Sequence, residues 1–166
     1  MTVFVLEGSD CCFKSTVAEK LSDLTGFEII KGSSFELSQC ANDELNHFFT
    51  SLMSLDDIII DRSIYSNLVY ASLYKDYAIL NPDQVNEIEK IMMRRKVKIA
   101  FLYASPEVVK QRLGERGDDY VKADMVDSIL EKYFEVMRNA KSQITWYDTE
   151  QFSSDEIANE LYTYFK

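Results

Sequence analysis

The sequence predicts an α/β fold, a parallel sheet covered by helices on both faces. Three observations carry that expectation. Short apolar runs alternate with stretches of helical periodicity along all 166 residues. The strand candidates are apolar nearly throughout instead of alternating with polar residues, which is the pattern of strands buried on both faces. No linker, repeat or low-complexity stretch divides the chain, so one domain over 1–166 is expected. A chain of this length buries enough surface to need no disulfide or metal staple.

The elements follow in order. The first strand is 2–6, where Val3-Phe4-Val5-Leu6 is apolar. It runs into Glu7-Gly8-Ser9-Asp10-Cys11-Cys12-Phe13-Lys14-Ser15-Thr16. Helix 15–25 comes next, with Val17, Ala18, Leu21 and Leu24 on one face and Gly26 as a stop signal. Further strands are expected at 27–30, 57–61, 97–103 and 143–147. Further helices are expected at 36–54, 63–75, 82–95, 106–115, 123–140 and 154–165. Three of these carry start signals: Asn81-Pro82-Asp83-Gln84, Ser105-Pro106-Glu107 and the capping box Ser153-Ser154-Asp155-Glu156. In 123–140, Met125, Val126, Ile129, Leu130, Tyr133, Phe134 and Met137 keep one face.

Gly8, Lys14 and Ser15 hold the spacing of a phosphate-binding loop, and the strand before it and the helix after it supply the required context. In such a loop, backbone N–H groups wrap the phosphates of a nucleotide, the lysine bridges the terminal phosphates and the Ser/Thr hydroxyl holds Mg²⁺. The bland alternative is an ordinary strand-to-helix turn with a chance Lys-Ser-Thr. Phe13 stands where a glycine is usual. If that backbone needs a positive φ, phenylalanine is strained there; if it is helical or extended, Phe13 costs little.

In parallel sheets, ligands bind beyond the carboxyl ends of the strands, which selects the segments after Leu6, Ile30, Ile60, Tyr103 and Tyr147. After the third strand stand Asp61 and Arg62. The aspartate can accept from a Mg²⁺-bound water or from Ser15, and the arginine offers a planar fork to a second phosphate. The structural alternative is that Asp61 or Ser63 caps the next helix. Arg112 and Arg116 lie one helical turn apart, before Gly117-Asp118-Asp119-Tyr120. A lid at about 114–122 that carries arginines to a transferring phosphate is one reading, and a solvated charged turn is the other.

Net charge is −10, which repels duplex nucleic acid and disfavours a polynucleotide partner. No apolar run reaches membrane-spanning length and no signal peptide precedes the first strand, so a soluble cytoplasmic protein with no membrane partner is expected. The three cysteines, two of them adjacent, do not look like a disulfide framework, and the single histidine makes no zinc site with them. Cys11 and Cys12 lie where a thiolate would be favoured, although small residues that suit a tight loop are the simpler reading.

The chain resembles the thymidylate kinase family of nucleoside monophosphate kinases. The resemblance rests on Glu7-Gly8-Ser9-Asp10, Asp61-Arg62, Leu102-Tyr103-Ala104-Ser105-Pro106-Glu107, the arginine-bearing segment Arg112 to Tyr120, and Tyr147-Asp148-Thr149. It implies a three-layer αβα P-loop kinase fold with a five-stranded sheet in the order 2-3-1-4-5 and a short lid. It implies ATP and Mg²⁺ as cofactors, held by Gly8, Asp10, Cys11, Cys12, Phe13, Lys14, Ser15 and Thr16, with Asp148 near the adenine and Ser15 and Asp61 on the metal. Catalytic roles fall to Lys14, Arg62, Arg112 and Arg116, since the loop has no arginine of its own. Asp10, Lys31, Phe35, Arg62, Tyr65 and Tyr120 would meet the acceptor, Asp10 at the sugar 3′-hydroxyl and Lys31 with Arg62 at its phosphate. Small-molecule nucleotides and a second copy of the chain, as a homodimer, are the implied partners.

The expected activity is Mg-ATP-dependent phosphoryl transfer to a deoxynucleoside monophosphate, most like dTMP to dTDP. Arg62-Ser63-Ile64-Tyr65-Ser66 also resembles the deoxynucleoside kinases, in which a carboxylate deprotonates a 5′-hydroxyl; Glu36 is the carboxylate near that position. A kinase of a modified pyrimidine nucleotide and a non-catalytic nucleotide-binding protein are further alternatives. Phe35, Phe48, Phe49, Tyr65 and Tyr70 are candidates for base stacking, with core packing as the alternative for each.

Overall fold

The structure, a computed structural model, describes residues 1–117 and 123–165. In chain order it holds β1 (Val3–Glu7), α1 (Lys14–Thr25), β2 (Glu28–Lys31), α2 (Phe35–Gln39), α3 (Asn42–Leu52), β3 (Ile58–Asp61), α4 (Ile64–Leu73), α5 (Pro82–Arg94), β4 (Lys98–Tyr103), α6 (Pro106–Arg116), α7 (Ala123–Asn139), β5 (Ile144–Asp148) and α8 (Ser154–Tyr162). The strands form one parallel sheet in the order β2-β3-β1-β4-β5, as the resemblance implied. Central β1 pairs with β3 and β4, setting Val5 beside Ile60 and Ile99.

Side chains of a strand alternate between faces, and β1 shows where each goes. Val3 and Val5 pack with Leu45 and Phe49 of α3, Ile64 and Val69 of α4, Ile88 and Met92 of α5, and Tyr133 of α7. Phe4 and Leu6 pack with Val17 and Leu21 of α1, Val109 and Leu113 of α6, and Ile157 and Leu161 of α8. The result is three layers, with the sheet as the middle one. All five residues of β1 and all four of β3 are buried, which explains their unbroken apolar runs. No helix among the described residues is long and apolar enough to cross a membrane.

One expected helix, 36–54, is two. Ser34 caps α2 by accepting from the Leu37 N–H at 3.2 Å, and Cys40 and Ala41 are then extended before α3 begins. Asp43 and Glu44 in the first turn of α3 favour a fresh N-terminus there, because carboxylates complement the positive end of a helix. The start signals at Asn81 and Ser153 form complete capping boxes, and Ser105 caps α6 through the Val108 N–H.

Candidate active site

The ends of β1, β2 and β3 and the turn after β5 converge on one edge of the sheet. Gly8 leaves β1 at a φ of 144°, and a Cβ there would lie 2.2 Å from the Leu102 carbonyl oxygen, so only glycine lets the loop pass. The loop then turns through two left-handed residues, Cys11 with φ 60° and Phe13 with φ 63°. This bend is of the kind that gathers backbone N–H groups into an anion-binding nest. Phe13 is therefore strained, at a cost of about 1 kcal/mol or more for a residue that is not glycine. It also leads straight into the first turn of α1, whose positive end faces the loop.

Lys14 opens α1, is buried, and donates from Nζ to the Ser9 carbonyl oxygen at 2.9 Å across the loop. Burial, helped by Arg62, lowers its amine from 10.5 to about 8. A buried cation facing an N–H-lined loop is the arrangement that a phosphate ligand would complete.

Two cavities adjoin here and share Asp10, Lys14 and Ser15. The larger, about 580 Å³, is walled also by Cys11, Phe13, Thr16, Arg112, Glu115 and Arg116. The smaller, about 230 Å³, is walled also by Lys31, Ser33, Asp61 and Arg62. The second is tightly built, because Gly32 runs against the next strand end: a Cβ on it would lie 1.8 Å from the Arg62 carbonyl oxygen. Arg62 has a φ of 69° and pairs with Asp10 at 2.8 Å, its guanidinium 5.2 Å from the centre of the Tyr70 ring. Tyr70 stacks on Tyr74, and Tyr74 on Tyr77, so a row of tyrosines leads outward from Arg62. Burial raises the Tyr70 hydroxyl to about 12, keeping it neutral.

Asp61 is at the floor of the smaller cavity, with Oδ1 buried and without a hydrogen-bond partner. An orphaned carboxylate oxygen beside the Ser15 end of the loop fits Mg²⁺, either directly or through its water. No cluster of three or more His, Cys, Asp or Glu suited to a metal occurs among the described residues. Ser15 and Asp61 are the residues that would hold Mg²⁺, and the charge neutralisation it supplies is the chemistry a phosphoryl group needs.

Arg112 is tied into the wall of the larger cavity. Its Nη1 donates to the Cys11 carbonyl oxygen at 3.0 Å and to Thr149 Oγ1 at 2.9 Å, and its Nη2 donates to the Thr149 carbonyl oxygen at 3.2 Å. Its guanidinium lies 4.4 Å from the centre of the Phe13 ring. Arg116 places Nη1 at 3.6 Å from Cys11 Sγ.

Several residues go elsewhere than the sequence reading put them. Tyr65 is 1 % exposed and donates to Glu89 in the core at 2.9 Å, which removes it from the acceptor site. Asp148 lines neither cavity; its carboxylate accepts from the Glu150 N–H in the turn after β5. Phe35 is 77 % exposed on α2 and lines neither cavity, and Glu36 beside it is exposed too. Phe49 is core, and Phe48 packs edge-on against it. Gly8 and Cys12 shape the loop without lining a cavity; buried Cys12 faces Ser9 Oγ at 3.4 Å. Tyr120 and most of the expected lid fall outside the described residues.

The sequence reading gave no role to three residues. Ser33 is a short polar residue in a turn with no motif to mark it, and Thr149 entered only as the last residue of Tyr147-Asp148-Thr149, with no role of its own. Glu7 sits at the end of β1, fully buried, accepting from the Ser63 N–H at 2.7 Å, the Ser63 hydroxyl at 2.6 Å and the Ser66 hydroxyl. Ser66 also meets the Tyr133 hydroxyl at 2.8 Å. Burial pushes the Glu7 carboxyl up, against the pull of its serine partners. Ser63 thus occupies the start of α4 without capping it, because its side chain serves Glu7. This sealed network fixes the turn that presents Arg62.

Fold and site together define a P-loop kinase fold. Deoxyadenosine kinase from M. mycoides has the same fold, with a TM-score of 0.62 at 15 % identity, over 98 % of this chain and 100 % of that one. Thymidylate kinase from Candida albicans matches with a TM-score of 0.57 at 18 % identity, over 99 % and 90 %. No protein-family model matches the chain. In sequence it is 52 % identical over 161 residues to the SPbeta prophage-derived uncharacterized protein YorR of Bacillus subtilis (strain 168), covering 97 % of each. A crystal structure of YorR in complex with phosphorylated GDP superposes with a TM-score of 0.94 at 49 % identity, over 99 % of this chain and 95 % of that one. The chain belongs to the YorR family.

Proposed function

We propose that the protein transfers the terminal phosphoryl group of a nucleoside triphosphate, with Mg²⁺, to a deoxynucleoside monophosphate. The observation that carries this is the smaller cavity, in which Lys14, Lys31 and Arg62 converge beside the phosphate loop. A phosphate acceptor is already ionised and needs cations to clamp it, whereas a nucleoside hydroxyl needs a base. The carboxylates of that cavity are Asp10, held by Arg62, and Asp61, placed for the metal. Glu36 on α2 walls neither cavity.

On this reading the donor phosphates lie in the larger cavity, against the loop N–H groups, Lys14, Ser15 and Thr16. The acceptor phosphate lies between Lys31 and Arg62, and its sugar meets Asp10. The shared wall of Asp10, Lys14 and Ser15 is where the two phosphates meet. Catalysis is alignment and charge neutralisation by Lys14, Arg116 and the metal. For the base, the thymidylate kinase resemblance points to dTMP, while the complex of YorR points to a guanine nucleotide.

The test is ADP or GDP release from Mg-ATP or Mg-GTP across all common monophosphates and nucleosides. Turnover with dTMP or a guanine monophosphate, and none with nucleosides, is the expected result. Turnover confined to nucleosides sinks the proposal in favour of a 5′-hydroxyl kinase.

A further inference from the structure

Phe13 combines two features that do not belong together by chance of packing. Its backbone is left-handed, where glycine would be at ease, and its ring is 40 % exposed, so it gains little from burial. What the ring does touch is the guanidinium of Arg112, 4.4 Å from its centre. Arg112 in turn is bonded to Cys11 in the loop and to Thr149 in the turn after β5. The loop, α6 and the β5 turn are therefore held together at one arginine, and the Phe13 ring lies against it.

We propose that Phe13 is a positioning residue for the donor nucleotide. Its ring holds Arg112 in place at the larger cavity before the nucleotide arrives, presenting the guanidinium as a finished wall of the donor site. This rests on reading that cavity as the donor site. The bonds to Cys11 and Thr149 are all in the plane of the guanidinium, since N–H groups lie in that plane. They hold the edge of the guanidinium, and the Phe13 ring, 4.4 Å from its carbon, adds a cation–π contact that those bonds do not supply. A glycine here would relieve the backbone and give up the contact. The strain at Phe13 is retained for the site and not for the fold.

This predicts opposite signs for affinity and stability, which an ordinary packing role does not. The experiment compares the full-length protein with Phe13→Gly, Phe13→Asn and Phe13→Tyr. Asparagine tolerates the left-handed backbone without an aromatic face; tyrosine keeps the face. Dissociation constants for Mg-ATP and Mg-GTP are measured by calorimetry and unfolding midpoints by melting. The side-chain Nε–H resonance of Arg112 is followed by NMR without nucleotide. Phe13→Gly and Phe13→Asn should weaken donor binding about five- to ten-fold, the size of a lost cation–π contact and its ordering. Their melting midpoints should hold or rise, and the ring-current displacement of the Arg112 resonance should vanish. Phe13→Tyr should restore both affinity and displacement. The inference is overturned if Phe13→Gly binds donor as wild type does. It is equally overturned if Phe13→Tyr restores nothing, or if the wild-type Arg112 resonance shows no ring-current displacement. A wild-type protein that binds no nucleoside triphosphate overturns the donor-site reading and this inference with it, and that failure shows in the wild-type arm alone.

Discussion

Two concavities of similar size lie at opposite ends of the sheet. The one beside the phosphate loop measures about 580 Å³ and carries Lys14, Arg112 and Arg116. The other measures about 470 Å³ and carries Lys96, Lys98 and Lys141. By cation count they are alike. They differ in the direction of the backbone that lines them. The first receives the start of α1, with N–H groups pointing out and Lys14, Ser15 and Thr16 on its wall. The second receives the last turns of α5 and α8, marked by Met92, Met93 and Leu161, where the helices present their carbonyl ends and the carbonyls of all three residues accept from the N–H groups that follow. Helix ends carry about half a charge of either sign, so the helix end adds to the cations of the first concavity and subtracts from those of the second. Two lysines of the second have partners of their own there: Lys98 lies 4.7 Å from the Tyr164 ring centre and Lys141 bonds Asn86. On the proposed function, what makes the first concavity a phosphate site is cations placed at a helix start, and not their number alone.

The comparison can be broken most readily at Lys14. Lys14→Ala should lower phosphoryl transfer by about 10²–10³-fold or more, the scale for removing a preorganised charge from a transition state. Steady-state ADP release from the folded variant reads this, and near-wild-type rates would remove Lys14 from the chemistry. Next in size, Arg62→Ala should raise the acceptor KM far more than the donor KM, because Arg62 walls only the smaller cavity. Equal effects on both would merge the two subsites.

A change of pH probes the same cation without mutation. The Lys14 amine is held down at about 8 by burial. Above that value the protein without nucleotide has lost the charge, and nucleotide must restore it by taking up a proton. Affinity should therefore fall as pH rises through about 8, with proton uptake on binding visible as a dependence of calorimetric heat on the buffer. The sign for stability is opposite. A lowered folded-state value against 10.5 unfolded means that folding becomes more favourable between about 8 and 10.5.

The sealed network behind Arg62 gives a smaller effect, and on stability first. Glu7→Ala leaves the Ser63 N–H and two hydroxyls without their acceptor, at a cost of about 2–4 kcal/mol in denaturant titrations. Glu7→Gln should cost much less, because an amide oxygen still accepts from Ser63. Since burial raises the Glu7 carboxyl, its contribution is fully present below 4.5 and is lost as pH rises toward the raised value. Glu7→Gln should flatten that part of the profile. Smallest of all, Lys96→Ala and Lys98→Ala at the opposite concavity should leave nucleotide affinity unchanged and shift stability by about 0.5 kcal/mol or less. Nucleotide binding lost in either would refute the contrast between helix starts and helix ends.

Periodicity and apolar runs alone were enough to show the parallel sheet, its helices on both faces and the strand ends where the two cavities of the candidate site lie. β1 and β3 are central and buried on both faces, so their sequence has no alternation to confuse the reading. The loop spacing and Asp61-Arg62 led directly to the walls of both cavities. Residues whose roles depend on a partner distant in sequence were not legible. Glu7 reads as a polar strand end until Ser63 and Ser66 are seen to donate to it, more than fifty residues away. Thr149 closes a matched segment, but it has no role until Arg112 reaches it across 37 residues. Tyr65 carried the same pattern as Tyr70, yet their directions on α4 send one to Glu89 in the core and the other to Arg62. At Phe13 the sequence left two backbone conformations open. The folded loop decided for the left-handed one, because the turn from Gly8 to α1 requires it and Arg112 meets the ring that results. Local periodicity and spacing are properties of the chain itself. A cavity, a buried acceptor or a guanidinium against a ring exists only once the strand ends have been brought side by side.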